Sequence, residues 1–223
     1  MGRIEEGLMN IVIIKYNAGN IESVNNALLR LGVSAEITGD HEKIQAADKV
    51  IFPGVGEAST TMSYLKKEGL DKLIPELKQP VLGICLGLQL MCSYSEENDT
   101  PCLGIFDEQV KRFIPEAGME FVTKVPHMGW NNITDLKSGI FDPSLENQFV
   151  YFVHSYYAAV GEHTAAVCNY INPFSAALHR DNFYATQFHP EKSGTVGARI
   201  LENFLKRSLP YPPPKEGDKK AIT

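Results

Sequence analysis

Apolar runs alternating with amphipathic stretches organise the first hundred residues. From Asn10 the chain reads NIVIIKY, an unbroken apolar strand, and the next apolar residues, Ile21, Val24, Leu28 and Leu31, recur at helical spacing. Asn20 stands where a helix N-cap belongs and Gly32 where a helix ends. A second strand is expected near Val33. The unit repeats with KVIF (Lys49 to Phe52), the loop PGVG and a helix through Met62 and Leu65, then with PVLGIC and a second amphipathic helix from Leu86. Strands apolar at every position are covered on both faces, which predicts a parallel sheet flanked by helices.

After about Pro101 the pattern changes. QFVYFVHSYYAAV, HTAAVCNY, FSAALHR and NFYATQF are consecutive strand-like runs separated by turns, so an antiparallel portion should join the same core. A last helix, Thr195 to Ser208, turns Val196, Ile200, Phe204 and Leu205 to one face. The expected fold is one α/β domain over residues 9–209. Its central sheet is mixed but mainly parallel, flanked by helices in a flavodoxin-like arrangement, with an antiparallel C-terminal portion. Residues 1–8, MGRIEEGL, read as a leader or cloning remnant before Met9, and residues 210–223 as a tail disordered by composition.

Composition narrows the classes of function. The chain has 223 residues, 43% of them hydrophobic, enough for a sizeable core, and its formal charge of -6 comes with no basic block for nucleic acid. No apolar run approaches the roughly 20 residues that span a bilayer. Acidic residues occupy the place of a secretory signal's apolar region, so a cytoplasmic location is expected. Cys85, Cys92, Cys102 and Cys168 form no CxxC pair and have no nearby histidine cluster. Neither a metal site, a disulfide framework nor a cofactor is called for.

One of these cysteines has a setting of its own. In GICLGLQ, Cys85 ends a strand, begins a helix and lies between Gly83 and Gly87, glycines that leave room for backbone to approach something beside it. A strand entering a sharp turn and leaving as a helix presents the turn residue outward, beside the free N–H groups of the helix's first turn. The helix dipole favours a thiolate there, and the Leu86 N–H faces a developing oxyanion. The loop of Gly54, Val55 and Gly56 is the candidate second donor. His189, in YATQFHPEKSG, ends another strand with Glu191 two residues on, which suggests Cys85 as nucleophile, His189 as proton shuttle and Glu191 as its orienter.

These motifs, GICLGLQ with a distant FHPEKSG, resemble the class I, triad-type glutamine amidotransferases over about Asn10 to Leu209. GNIESV, PHMGWN and YFVHSYY further resemble the glutaminase subunits of imidazole glycerol phosphate synthases. The resemblance implies glutamine as substrate and a Cys85 thioester. It also implies a heterodimer with a (β/α)₈-barrel cyclase that receives the ammonia and makes imidazole glycerol phosphate and aminoimidazole carboxamide ribotide in histidine biosynthesis. Gln89, one helical turn from Cys85, then holds the amino-acid end of glutamine, Ser155 and Tyr156 match substrate contacts, and Glu97 pairs with the ammonium. Asn20, Trp130, Tyr151 and Lys192 match interface positions.

The bland alternatives are an exposed charge for Glu97 and core aromatics for Tyr156 and Trp130. Asn17-Ala18 and Glu57-Ala58 depart from the family pattern and bear on docking detail. The same chemistry serving a surface-saccharide amidotransferase, a γ-glutamyl peptidase and a catalytically silent binding subunit are the competing readings. PHMGWN speaks against the second, and retention of Cys85, His189 and Glu191 together against the third.

Overall fold

The computed structural model describes residues 9–16, 20–115, 117–118 and 124–207. The expected leader, the tail from residue 210 and Asn17-Ala18 lie outside these. The chain opens with β1 (Ile11–Ile14), α1 (Ile21–Arg30), β2 (Glu36–Thr38), α2 (His41–Ala46), β3 (Lys49–Gly54), α3 (Ala58–Lys67) and α4 (Leu70–Glu76). It continues through β4 (Val81–Cys85), α5 (Leu86–Met91), β5 (Tyr94–Ser95), β6 (Thr100–Pro101), β7 (Gln109–Arg112) and β8 (His127–Asn132). It closes with β9 (Phe149–His154), β10 (Tyr156–Ala158), β11 (Thr164–Asn169), β12 (Pro173–Arg180), β13 (Phe183–Thr186) and α6 (Gly194–Leu205).

A seven-stranded sheet in the order β11-β12-β13-β4-β3-β1-β2 forms the centre. β2, β1, β3, β4 and β13 run parallel, and β11 and β12 complete one edge antiparallel. The mainly parallel mixed sheet is thus as expected, and the apolar strands are indeed covered on both faces: β1, β3, β4 and β13 are buried at every residue. Because β13 lies parallel beside β4, its C-terminal end reaches the same sheet edge as those of β3 and β4. In α/β sheets that edge is where ligands bind.

Several local expectations shift. The second strand starts at Glu36, after the turn at Gly32 (φ +78°) has closed α1. The short helices α2 and α4 were not legible, since their few buried residues set no long period. The run QFVYFVHSYYAAV breaks at Ser155: β9 pairs with β8 in a two-stranded ribbon, while β10 joins a four-stranded sheet β10-β7-β5-β6. The last helix ends at Leu205, and its inward face is Gly197, Ile200, Leu201, Phe204 and Leu205, with Val196 only half-buried.

The helix from Leu86 is short and buried at every position, so it is not amphipathic. It packs between β3, β4, β13, α3 and the smaller sheet. The glycines explain how it fits. A Cβ on Gly87 would stand 2.1 Å from the carbonyl oxygen of Phe52, and one on Gly83 would stand 2.8 Å from Met91 Sδ. What approaches the backbone beside Cys85 is therefore the neighbouring strand and helix. Gly87→Ala should cost about 3 kcal/mol or more of stability, because the obstacle is backbone that cannot rotate away. Urea unfolding monitored by circular dichroism measures this, and a loss below about 1 kcal/mol would contradict the packing argument.

Candidate active site

Cys85 is the last residue of β4 and takes φ +55°, ψ −107°, a conformation that costs a non-glycine residue about 1–3 kcal/mol. The chain accepts it because α5 must start at once to pack on β3. The Cys85 side chain is almost fully buried and its Sγ lies 4.0 Å from Val153 O. Of the remaining cysteines, burial pushes Cys102 and Cys168 up to about 12 and Cys92 well above the usual range, so they stay protonated thiols.

His189 follows β13 by three residues and begins the turn Pro190–Lys192. Its Nδ1 lies 2.8 Å from Glu191 Oε1, with both side chains buried. Nε2 has no hydrogen-bond partner among the described residues, which leaves it available for a proton. Burial opposes a charged imidazole here, but the Cys85 sulfur and the Glu191 carboxylate outweigh it and raise the His189 pKa. The turn is pinned from two sides: Ser193 Oγ donates to His189 O at 2.6 Å, and the His189 N–H donates to Tyr151 O at 2.9 Å.

Asn20 departs from its expected role. Its backbone is left-handed (φ +73°) and its side chain does not cap α1. Instead its amide donates to Glu191 Oε1 and comes within 3.5 Å of His189 Nδ1. Sequence spacing alone cannot reveal a contact across 171 positions.

The loop after β3 closes the other side. Gly54 belongs to the strand end, and a Cβ there would meet Tyr16 Oη, Leu86 Cβ and Gly87 N within 3.0 Å. Tyr16 donates its hydroxyl to Pro53 O and holds this end of the loop. Val55 is half-buried, whereas Gly56 is exposed at φ +126° with open space around it. Gly54 is thus a packing requirement and Gly56 a conformational one. Glu57 accepts from the Ser59 and Thr60 N–H groups at 3.0 Å each and caps α3, which accounts for the unusual Glu57-Ala58 pair.

Gln89 is buried, and its Nε2 donates to Tyr156 O at 2.8 Å and Gln187 Oε1 at 3.1 Å. Only its carbonyl oxygen is open to a ligand. Glu97 is half-buried and accepts the Ala58 N–H at 2.8 Å through Oε2, leaving Oε1 without a partner among the described residues. Ser155 and Tyr156 are half-buried where β9 gives way to β10. Leu86, Gly54 and Cys85 meet at the sheet edge, while Glu97 reaches the start of α3 through the Ala58 N–H.

Comparison with known proteins bears directly on this arrangement. Residues 12–208 match the family model for class-I glutamine amidotransferases. The chain belongs to that family. A Bacteroides fragilis protein named imidazole glycerol phosphate synthase subunit HisH is 65% identical over 89% of this chain and 100% of its own length. The Haemophilus influenzae HisH subunit is 45% identical over 90% of this chain and 98% of its own. The chain groups with these HisH subunits. A solved glutamine amidotransferase shares the fold at TM-score 0.66 and 20% identity, covering 87% of this chain and 96% of that one.

In this amidotransferase, the ribbon of β8 and β9 carries one apolar face. Trp130 pairs in register with Tyr151, Met128 with Val153 and Asn132 with Phe149. Trp130 is 55% exposed and Met128 63%, so the sole tryptophan is a surface residue. Lys192 is exposed on the turn below. Among the described residues no helix is long and apolar enough to cross a membrane, and no three His, Cys, Asp or Glu side chains are placed to hold a metal ion.

The opposite face of the ribbon carries two buried histidines that residue patterns had not singled out, although both sit in quoted motifs. His127 Nδ1 lies 3.2 Å from His154 Nε2, and His127 stacks on Tyr170 with ring centroids 4.0 Å apart. Burial holds both well below the ordinary histidine range, His127 at about 4 and His154 at about 3. A depressed folded pKa means that the unfolded chain binds protons the folded one refuses. Stability should therefore fall as pH drops below about 6.5, by about 1 kcal/mol per histidine at pH 5.5. Urea midpoints at pH 7 and 5.5 test this; His127→Phe should flatten the difference, and an unchanged slope in that variant would rule the pair out as its source.

Proposed function

We propose that this chain is the glutaminase subunit of an imidazole glycerol phosphate synthase, acting in the cytoplasm on glutamine at Cys85. The observation that carries the reading is the elbow sulfur of Cys85 beside His189, whose Nδ1 is held at 2.8 Å by Glu191 while Nε2 stays open. His189 accepts the thiol proton, and the sulfur attacks the side-chain amide carbon. The collapsing intermediate releases ammonia, protonated by His189. Water then adds to the thioester, passes a proton to His189, and the C–S bond breaks to free glutamate.

The oxyanion of each intermediate is met by the Leu86 N–H and by the Gly54-Val55-Gly56 loop, each donor contributing about 2.7–4 kcal/mol. The open Gln89 carbonyl oxygen is suited to the ammonium of glutamine rather than its carboxylate, with Glu97 Oε1 as a second acceptor and Ser155 and Tyr156 lining the same end. Asn20 orients the Glu191 carboxylate as well as lying near the docking side. The relatives' HisH names support a partner subunit. We take it to be the (β/α)₈ cyclase, docking on the apolar ribbon face at Trp130 and Tyr151 with Lys192 at its edge. A sheltered route matters because ammonia released into water at neutral pH is protonated and loses its nucleophilicity.

Cys85→Ala should abolish ammonia release while leaving folding and docking intact, whereas Glu191→Gln should lower turnover by about 10²-fold because the base survives without its orienter. A coupled glutamate assay distinguishes them, and wild-type turnover in Cys85→Ala would end the assignment. Trp130→Ala should weaken docking by about 30-fold, the effect of losing one interface hot spot, and spare the glutaminase rate of the isolated chain. Titration calorimetry with the cyclase reads the first; a basal rate as low as that of Cys85→Ala would instead place Trp130 in the support of the site.

A further inference from the structure

Gln187 lies two residues before His189 and is completely buried. A buried carboxamide needs partners for both ends. Its Oε1 accepts from Gln89 Nε2 at 3.1 Å, and its Nε2 points at Cys85 Sγ from 3.8 Å. The neighbours settle which end faces the sulfur. Tyr156 O is a carbonyl and can only accept; it takes Gln89 Nε2 at 2.8 Å and His154 Nδ1 at 2.8 Å. Gln89 therefore presents its amino end inward, Gln187 answers it with oxygen, and the amino group of Gln187 directs an N–H at the thiol.

We propose that Gln187 is a further residue of the reaction: its side-chain N–H donates to the Cys85 sulfur, holds it in place and favours the thiolate over the thiol. This rests on the reading of Cys85 as the nucleophile. A donor to a charged acceptor is worth more than one to a neutral acceptor, so the contact strengthens whenever the sulfur carries charge. That happens twice. Before attack, the thiol proton goes to His189 Nε2 and leaves the electron pair on Sγ. In thioester hydrolysis, after water has added to the carbonyl carbon and given a proton to His189, the C–S bond breaks and its electron pair returns to Sγ. An amide N–H has no proton to lose at these pH values, so Gln187 stabilises the anion without competing with His189 as base. Two ionisable groups that act on this sulfur, His189 and Tyr16, approach from the turn after β13 and from just beyond β1, and neither substitutes for the amide.

The test is site-resolved alkylation of the full chain with iodoacetamide from pH 6 to 9, quantified by peptide mass mapping. Gln187→Met keeps the length and removes the donor. It should slow labelling of Cys85 about five- to tenfold at pH 7, with the deficit narrowing at high pH where the thiolate forms unaided. Gln187→Glu keeps the shape but turns an oxygen toward the sulfur, and should slow labelling further. A residue that only fills space would lower stability and leave this pH dependence and this ordering unchanged. Wild-type labelling of Cys85 across the range in folded Gln187→Met overturns the proposal. If that variant does not fold, Gln89→Met carries the test: it frees the Gln187 amide to turn, a two- to fivefold loss is expected, and an unchanged rate overturns the proposal. Should Cys85 of the wild-type chain label no faster than Cys92, Cys102 and Cys168, the nucleophile reading fails first, and with it the basis for this one.

Discussion

The close approach of Gly87 to the Phe52 carbonyl is the contact on which the site depends. It lets α5 start directly at the end of β4 and lie in the groove above β3, where no side chain at that position would fit. To reach that placement the chain must reverse within one residue, and Cys85 takes the positive φ. The strain is local and is offset by a helix whose every residue is buried between the sheet and its neighbours. The sharp elbow at Cys85, the position of Leu86 and the fit of Gly54 against Tyr16 and Gly87 follow from one backbone contact.

A second constraint joins the site to the ribbon. Tyr151, on the outward face of β9, accepts the N–H of His189 through its carbonyl and donates its own N–H to Ser193 Oγ, whose hydroxyl in turn holds His189 O. Val153 in the same strand brings its carbonyl to the Cys85 sulfur. Beneath, His127 and His154 hand a chain of hydrogen bonds to Tyr156 O and so to Gln89. A force on the apolar face of β8 and β9 has short covalent and hydrogen-bonded routes to both the thiol and the imidazole. The partner docking proposed for this ribbon would therefore bear on the site through the backbone of β9.

Periodicity carried far in this chain. The unbroken apolar runs at Ile11, Val50 and Val81 read as buried strands because neither face of a covered parallel sheet meets water, whereas the run at Phe183, expected in the antiparallel portion, pairs parallel with β4 and antiparallel with β12. Short helices were lost because α2 and α4 bury too few residues to display a period. The break at Ser155 was hidden because alternation continues through QFVYFVHSYYAAV on either side of it, although the two halves belong to different sheets. The glycines beside Cys85 were legible as space, but not what fills it.

By itself the sequence determined the alternating α/β class, the placing of a cysteine at a strand–helix junction and of a His-Pro-Glu turn at another strand end, and, through motif resemblance, the family. These are local properties: apolar spacing and the types of residue at a turn are set by neighbours in the chain. Tertiary structure decided the partners. That Asn20 leaves its helix end for Glu191, that Trp130 faces outward while His127 beside it faces in, and that Gln187 reaches the sulfur depend on contacts between positions about a hundred or more residues apart, or on which sheet a strand joins. No spacing rule encodes such pairs, because strand order and helix packing, which bring them together, are settled only when the whole core closes.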